Sequence, residues 1–168
     1  MRSMNRRSVL KAGLAAGVSL AAPFSRAYGA NERVRLGVIG LGVRGGEDSK
    51  AFAAISGGAV EIAAATDPDN ERVGQFVKKY STAKPYGDLR KLLEDKSIDA
   101  VVVTTCNHWH CLASIWAMQA GKHVYVEKPL SHSQWEGAQV VKASRKYDKI
   151  VQLGTQQRSD PMLSLIHI

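Results

Sequence analysis

The fold of this chain is decided by residues 100–130, which read AVVVTTCNHWHCLASIWAMQAGKHVYVEKPL. The stretch opens with an apolar, β-branched run over 101–105. Because the run does not alternate with polar residues, it is typical of a strand buried on both faces. Apolar residues then recur at helical spacing, and we expect Asn107 to cap that helix and Gly121 to end it. A second buried run, 123–126, completes a β-α-β unit of a parallel sheet.

Polar side chains collect where the two strands of this unit end. Thr105, Asn107 and His110 follow the first strand, whereas Glu127 and Lys128 follow the second. Ligands of open α/β sheets bind at the carboxyl ends of the strands. The sequence therefore predicts a functional site at this edge of the sheet.

A glycine-rich turn follows the first predicted strand, 34–39, with the sequence GLGVRG. This is a G-x-G-x-x-G motif in its required context, with a strand before it and a helix after it. Gly40 permits the tight turn, Gly42 lets a pyrophosphate approach the backbone, and Gly45 lets helix and strand pack closely. The free N–H groups and dipole of the helix N-terminus favour phosphates. The motif predicts a dinucleotide site.

The second predicted strand, 59–66, ends in Asp67. An acid at this point is placed for the ribose hydroxyls of the adenosine, and it would repel a 2′-phosphate, so NAD is favoured over NADP. NADP remains an alternative cofactor because of Arg44, since a guanidinium near the loop can bind that phosphate. The alternative is that Asp67 caps the next helix, with Pro68 at its first position.

The remaining elements complete a doubly wound α/β fold with a parallel sheet. A capping box at Ser133 opens a helix towards Tyr147. The other predicted elements are helices over 70–80 and 89–94, an extended link at 84–86 and a last strand over 150–153.

The charge of the chain does not indicate a nucleic-acid partner. The formal net charge is +8, but five of the 23 basic residues lie in the first 29 residues, which contain no acid. The rest of the chain has 18 basic and 15 acidic residues, so its formal net charge is +3. Without a basic stripe interleaved with aromatic residues, we expect no nucleic-acid binding.

Metal binding is also not predicted. Cys106 and Cys111 match no zinc or redox spacing. The two-residue spacing of His108 and His110 is a weak signal for a metal, and it favours a role in lining a pocket.

The N-terminus is typical of a twin-arginine export signal. Residues 5–11 read NRRSVLK and precede an apolar segment, 12–22, that is short for a membrane span. A small-x-small site at 27–29 predicts a mature chain that starts near Ala30 and has no stable membrane span after cleavage. The alternative, an uncleaved amphipathic anchor, fits less well, since the basic residues cluster at the start. We expect a periplasmic or secreted protein.

Taken in order, these motifs resemble the Gfo/Idh/MocA family of glucose–fructose oxidoreductase and inositol dehydrogenase. The resemblance covers nearly all of residues 33–161 and is most specific at the E-K-P step. The motifs are the glycine turn, Asp67, the turn at 105–107 with His110, Glu127-Lys128-Pro129 and residues 154–158. The resemblance implies a Rossmann NAD(P)-binding domain, a sugar or polyol substrate and a homo-oligomer when full length. Because no free nicotinamide pool is expected outside the cytoplasm, we expect the cofactor to be held tightly through export.

The resemblance also implies roles for single residues. Lys128 would lie beside the nicotinamide and move a proton as a hydride leaves the substrate carbon, a task that suits a positioned amine. His110 and Glu127 resemble positions that line the nicotinamide and its ribose, and His110 would also be catalytic. The alternative for Lys128 is a surface lysine whose stem packs along the protein.

Three further residues take expected roles from the same resemblance. Thr105 and Asn107 resemble cofactor contacts, with a helix cap as the alternative for Asn107. Arg158 resembles a residue on the substrate side, with a solvated arginine as the alternative. The family usually has proline where Cys106 stands, which changes the rigidity of that turn.

The resemblance divides the chain into four parts. Residues 1–29 are the signal peptide, 30–155 the NAD(P)-binding domain and 156–162 the start of a C-terminal substrate domain that is otherwise absent. Residues 163–168, LSLIHI, match one reading frame of a transposase end sequence used in sequencing libraries. We therefore expect them to be an adapter scar, excluded from fold reasoning, with the natural chain continuing past Met162 and this fragment inactive alone.

Three functions stay open at this point. The leading one is an NAD(P)-dependent oxidoreductase acting on a secondary alcohol of a sugar or polyol. The second is an NAD-dependent glycosidase that works through a transient 3-keto sugar. The third is a non-catalytic module that binds a nucleotide or sugar. A methyltransferase is disfavoured by the Glu127-Lys128-Pro129 step.

Overall fold

Six parallel strands form one sheet in this computed structural model, which describes residues 33–55 and 58–159. The strand order is β3-β2-β1-β4-β5-β6. The strands are β1 (Val34–Ile39), β2 (Val60–Thr66), β3 (Lys84–Tyr86), β4 (Ala100–Val103), β5 (His123–Glu127) and β6 (Val151–Gly154). This order is that of a doubly wound sheet, and it confirms the predicted fold class.

Helices cover both faces of the sheet. Within the described residues they are α1 (Val43–Ala53), α2 (Asn70–Lys79), α3 (Leu89–Glu94), α4 (Asn107–Gln119) and α5 (Gln134–Tyr147), followed by a short 3₁₀ helix (Gln156–Ser159). Because each crossover between parallel strands carries a helix, the sheet is buried from both sides.

The central strand β4 shows why an unbroken apolar run is needed here. Val101 and Val103 pack into the core cluster on one face, whereas Val102 packs into the cluster on the other. All three side chains are fully buried. An alternating strand would have placed polar groups in one of these two cores.

Different helices contribute to the two cores. Ala113, Ala117 and Met118 of α4 pack in the first core, where small side chains let the helix lie close to the strands. Val73 and Phe76 of α2 pack in the second. The two faces are therefore closed by separate parts of the chain.

One predicted helix cap is wrong, and the alternative role of Asp67 as a cap is not formed. Asn107 is already the first helical residue of α4, and the extended residue before it is Cys106, which makes no side-chain cap hydrogen bond. Asp69, not Asp67, caps α2, because its carboxylate accepts from the N–H groups of Glu71 and Arg72. The helix α2 itself begins at Asn70, as predicted.

The other local predictions are closer to the structure. The serine half of the capping box is confirmed, since the N–H of Glu136 donates to Ser133 Oγ at 3.2 Å. The Glu136 carboxylate accepts instead from the N–H of His132, one residue before the cap, at 2.8 Å. The predicted link at 84–86 is the edge strand β3, which pairs with β2.

Several predictions fall outside the described residues. They are the export signal, the cleavage site before Ala30 and the adapter scar at 163–168. Within residues 33–55 and 58–159, no helix is long and apolar enough to cross a membrane.

Candidate functional site

The glycine turn between β1 and α1 leaves no room for side chains at two of its positions. Gly40 has φ of +93°, and a Cβ there would lie 2.8 Å from the carbonyl group of Thr104. A Cβ on Gly45 would overlap the carbonyl oxygen of Gly40 and lie 2.9 Å from Thr104 Oγ1. That hydroxyl donates to the Gly40 carbonyl at 2.6 Å, so β4 holds the turn in place.

Gly42 leaves the space above the turn open. Among residues 33–55 and 58–159, Arg72 Nη1 is the only atom that approaches the position of a Cβ there, at 3.7 Å. Gly42 is also the residue before α1, and it offers no side chain to cap the helix. The N-terminal N–H groups of α1 therefore face a space into which a phosphate can approach.

Asp67 fixes the turn from the other side. Its buried carboxylate accepts from the N–H of Leu41 at 2.7 Å through Oδ2 and from the N–H of Asp69 at 2.9 Å through Oδ1. Each carboxylate oxygen has a second lone pair, so Asp67 keeps acceptor capacity for a hydroxyl.

These residues surround a cavity of about 730 Å³. It lies over the carboxyl ends of β1, β2 and β4, where the strand order reverses direction. That is where open α/β sheets bind ligands, and the volume is within the usual range for small-molecule sites. The open space above Gly42, the uncapped helix and the acceptor of Asp67 together fit a dinucleotide.

Five of the predicted site residues line this cavity and six do not. Those on its wall are Gly40, Gly42, Arg44, Asp67 and Thr105. Gly45 lies behind the wall, against Gly40. Those away from the wall are Asn107, His110, Glu127, Lys128 and Arg158. The cavity therefore corresponds to the phosphate and adenosine part of the predicted site.

His110 connects the ends of two strands. Its ring is almost fully buried, with Nδ1 2.6 Å from the carbonyl oxygen of Pro129 and Nε2 3.0 Å from that of Thr105. A neutral imidazole carries one N–H, so it donates to one of these oxygens at a time. These contacts are those of a positioning residue, and the catalytic role of His110 stays a prediction.

Lys128 and Arg158 are exposed. The backbone N–H of Lys128 donates to the carboxylate of Glu127 at 3.2 Å, so its backbone is held while its side chain reaches solvent. Lys128, which the resemblance places beside the nicotinamide, is not on the wall of the cavity above Gly40 and Gly42. The catalytic role of Lys128 stays a prediction.

Arg44 is engaged with carboxylates. Its guanidinium lies 3.1 Å from Glu127 Oε1, 3.5 Å from Asp48 Oδ1 and 2.6 Å from Glu47 Oε2. The first two of these carboxylates are buried. A 2′-phosphate that binds the guanidinium of Arg44 would therefore have to compete with these carboxylates.

Neutral groups complete the surroundings of Glu127. The side-chain amide of Gln156 donates to Glu127 Oε1 and to the hydroxyl of Tyr125. Gly154 leaves room for this contact, because a Cβ there would lie 2.8 Å from both acceptors. Asp48, Tyr125 and Gln156 were not among the residues predicted from the sequence.

Asp48 differs from an ordinary surface acid. Burial raises its pKa from 3.8 to about 6, and the nearby Glu127 carboxylate adds to this, while Arg44 opposes it. Oδ2 of Asp48 is buried and has no hydrogen-bond partner in the described part of the chain. Its carboxyl therefore holds a proton more tightly in the folded chain than in the unfolded one.

The pKa of Asp48 predicts a stability change with pH. Because the folded state binds the proton more tightly, its contribution to the free energy of unfolding is greatest below pH 4 and is lost as pH rises through about 6. We expect that loss to be about 2 to 3 kcal/mol. Urea unfolding should give a lower free energy of unfolding at pH 7 than at pH 4.5 in the wild type, and Asp48→Asn should lack this difference. Equal pH dependence in the two proteins would contradict the prediction.

No cluster of three or more His, Cys, Asp or Glu side chains suited to a metal ion occurs among the residues that the structure describes.

The chain is similar in sequence to known NAD-binding oxidoreductases, in agreement with the geometry of the cavity. The profile of the Gfo/Idh/MocA oxidoreductase family, described as having an NAD-binding Rossmann fold, matches residues 34–155. The inositol 2-dehydrogenase of Salmonella typhimurium is 32% identical over 129 residues, which are 76% of this chain and 38% of that enzyme. The inositol 2-dehydrogenase/D-chiro-inositol 3-dehydrogenase of Halalkalibacterium halodurans is 37% identical over 130 residues, 76% of this chain and 37% of that enzyme.

Solved structures show the same arrangement. An NAD-binding oxidoreductase from Klebsiella pneumoniae superposes with a TM-score of 0.66 at 29% identity, over 73% of this chain and 34% of that one. The WlbA dehydrogenase of Chromobacterium violaceum, in complex with NADH and UDP-GlcNAcA, superposes with a TM-score of 0.74 at 26% identity. The match covers 80% of this chain and 39% of that one. This chain spans less than two fifths of the length of each. With its glycine turn, acid-terminated second strand and family profile in agreement, the chain belongs to the Gfo/Idh/MocA family of NAD(P)-binding oxidoreductases.

Proposed function

We propose that this chain is the NAD(P)-binding part of an oxidoreductase that acts on a secondary alcohol of a sugar or polyol. The observation that carries the proposal is the cavity at the reversal of strand order, walled by the glycine turn and Asp67. The similarity to inositol dehydrogenases supports the polyol class of substrate. A second, substrate-binding domain supplies the rest of the active site.

Within that proposal, NAD is the preferred cofactor. The carboxylate of Asp67 can accept from ribose hydroxyls and opposes a 2′-phosphate. Arg44 is paired with buried acids, and the guanidinium of Arg72 lies 3.7 Å from the position of a Cβ on Gly42. Arg72 is itself 3.4 Å from Asp69, which balances its charge. Binding of NADP would have to compete with this pair.

The proposed chemistry assigns one step to Lys128. The bound cofactor supplies a hydride acceptor, and the amine of Lys128 takes the proton of the substrate hydroxyl. The backbone N–H that Lys128 donates to Glu127, together with the contact of His110 to Pro129, holds the turn that presents this amine. Positioning of this kind is what proton transfer by a side chain requires.

Replacement of Lys128 tests the catalytic step. In the protein that carries both domains, Lys128→Ala should lower kcat for inositol or a related polyol by about 10²- to 10⁴-fold. The affinity for NAD⁺ should be unchanged, because Lys128 lies away from the cavity wall. Lys142→Ala, an exposed lysine on α5, is the matched control and should keep full activity.

The same assay separates the alternatives. Unchanged kcat in Lys128→Ala would remove the catalytic role of this lysine. Release of free sugar from a glycoside without accumulation of NADH would indicate the redox-assisted glycosidase. NAD⁺ binding with no turnover of any polyol or glycoside would leave a binding module.

We further propose that the protein is exported through the twin-arginine pathway with its cofactor already bound. The support is the sequence NRRSVLK at residues 5–11, since this pathway carries folded proteins. Replacing Arg6 and Arg7 with lysine should move the protein from the periplasm to the cytoplasm. Protein purified from the periplasm should carry NAD(H); an unchanged location or an empty protein would contradict the proposal.

A further inference from the structure

A buried acid pair lies beneath the dinucleotide cavity. Asp48 on α1 and Glu127 at the end of β5 are both almost fully buried, and both lie against the same guanidinium, with Asp48 Oδ1 3.5 Å and Glu127 Oε1 3.1 Å from Arg44. Arg44 also lines the cavity, so this side chain connects the acid pair to the site.

We propose that Asp48 is a positioning residue that shares one proton with Glu127 and thereby sets the positive charge that Arg44 presents to the pyrophosphate of the cofactor. The proposal rests on dinucleotide binding, which the family shows, and not on the reaction proposed above.

The charges around the pair do not balance when both acids are ionised. From α1, Arg44 faces two buried carboxylates and the exposed Glu47. From β5 and the 3₁₀ helix, the groups that face Glu127 are neutral: the hydroxyl of Tyr125 and the amide of Gln156. In the described part of the chain, the guanidinium of Arg44 is thus the one cation paired with the two buried carboxylates.

A single proton resolves this imbalance. Oδ2 of Asp48 has no hydrogen-bond partner among the described residues, and a proton on it would give a donor to the Glu127 carboxylate. Burial and the neighbouring negative charge both favour the neutral acid. With Asp48 neutral, the buried group has no net charge, because Arg44 and Glu127 balance each other.

The proton affects cofactor binding through Arg44. A pyrophosphate brings two negative charges to the N-terminus of α1, next to the guanidinium of Arg44. When Asp48 is ionised, more of that guanidinium charge is neutralised and a carboxylate lies near the phosphates. Binding of NAD⁺ should therefore draw a proton onto Asp48, and affinity should increase as pH falls.

Calorimetric titration of the chain with NAD⁺ tests this. At pH 6, titrations in MES and in Bis-Tris, which have different heats of ionisation, should show uptake of a fraction of one proton. Between pH 7.5 and 5.5 the affinity should increase by roughly threefold to tenfold. Asp48→Asn keeps a donor at this position, so it should bind with the higher affinity at every pH and take up no proton.

Two matched variants identify the proton. Glu47→Gln removes the exposed partner of Arg44 and should keep the proton uptake. His108→Asn removes a histidine of the cavity wall, and it should also keep the uptake. Loss of uptake in either variant would assign the proton elsewhere and overturn the proposal.

The wild type alone also decides the question, should Asp48→Asn fail to fold. No proton uptake by the wild type at pH 6 overturns the proposal, and so does uptake that persists in Asp48→Asn. Absence of NAD⁺ binding at any pH overturns the dinucleotide site together with it. An unchanged kcat in Lys128→Ala would leave this proposal standing, so the two failures are distinguishable.

Discussion

Gly45→Ala is expected to abolish most cofactor binding, with an affinity for NAD⁺ lowered on the order of 100-fold. The new Cβ would overlap the carbonyl oxygen of Gly40, which is backbone and cannot rotate away. The turn and α1 must then separate, and we expect a loss of about 2 to 4 kcal/mol in the free energy of unfolding. Urea unfolding and quenching of the fluorescence of Trp109, which lines the cavity, measure the two effects.

Gly46→Ala is the matched control, one residue further along α1. A Cβ on Gly46 would meet no atom of the described residues within 4 Å. Because alanine is favoured over glycine inside a helix, this variant should be more stable than the wild type by about 0.5 to 1 kcal/mol. Equal effects of the two substitutions would show that the close approach at Gly45 does not govern the turn.

Asp67→Asn is expected to remove the preference for NAD. The asparagine side chain has one oxygen in place of two, so either Leu41 or Asp69 loses the acceptor of its N–H, at a cost of about 1 to 3 kcal/mol in stability. The affinity for NAD⁺ should fall by roughly 10- to 100-fold, since a ribose acceptor is lost. The affinity for NADP⁺ should fall less, because the carboxylate no longer repels its 2′-phosphate.

Asp69→Asn provides the control for the effect at Asp67. Asp69 also lies on the cavity wall, but its carboxylate is exposed and serves as the N-cap of α2. Asparagine caps a helix about as well as aspartate, so stability should change by less than about 0.5 kcal/mol. Loss of the pair with Arg72 should raise the affinity for NADP⁺, whereas the affinity for NAD⁺ should remain, because Asp67 keeps its carboxylate. A loss of NAD⁺ affinity as large as in Asp67→Asn would mean that the general negative charge of the rim, and not Asp67, binds the ribose.

Much of the cavity could be predicted from the sequence because its determinants are local. Gly40, Gly42 and Gly45 act through their own backbone conformation and their contact with the adjacent strand. Asp67 is the residue next to the end of β2, so its place follows from the strand itself. Strand order then brings Thr105 to the same edge.

The acid pair could not be predicted because its partners are far apart in the chain. Arg44 and Asp48 form an i,i+4 pair that reads as an ordinary exposed helix contact. Glu127 meets them only because β5 lies two strands from β1 and Gly154 leaves space for its carboxylate. Asn107 failed as a cap for a related reason, since the turn after β4 is fixed by Thr104 and its contact with Gly40 rather than by the helix signal.

The two outer strands of the sheet have a consequence for self-association. β3 has three residues and contains Pro85, which has no N–H to offer an incoming strand. On β6, the carbonyl oxygen of Leu153 already accepts from the side-chain amide of Gln152 at 2.8 Å and from the N–H of Thr155 at 3.0 Å. Both borders of the sheet are thus poor templates for fibril-like stacking, so copies of this domain that meet in solution should join through side chains.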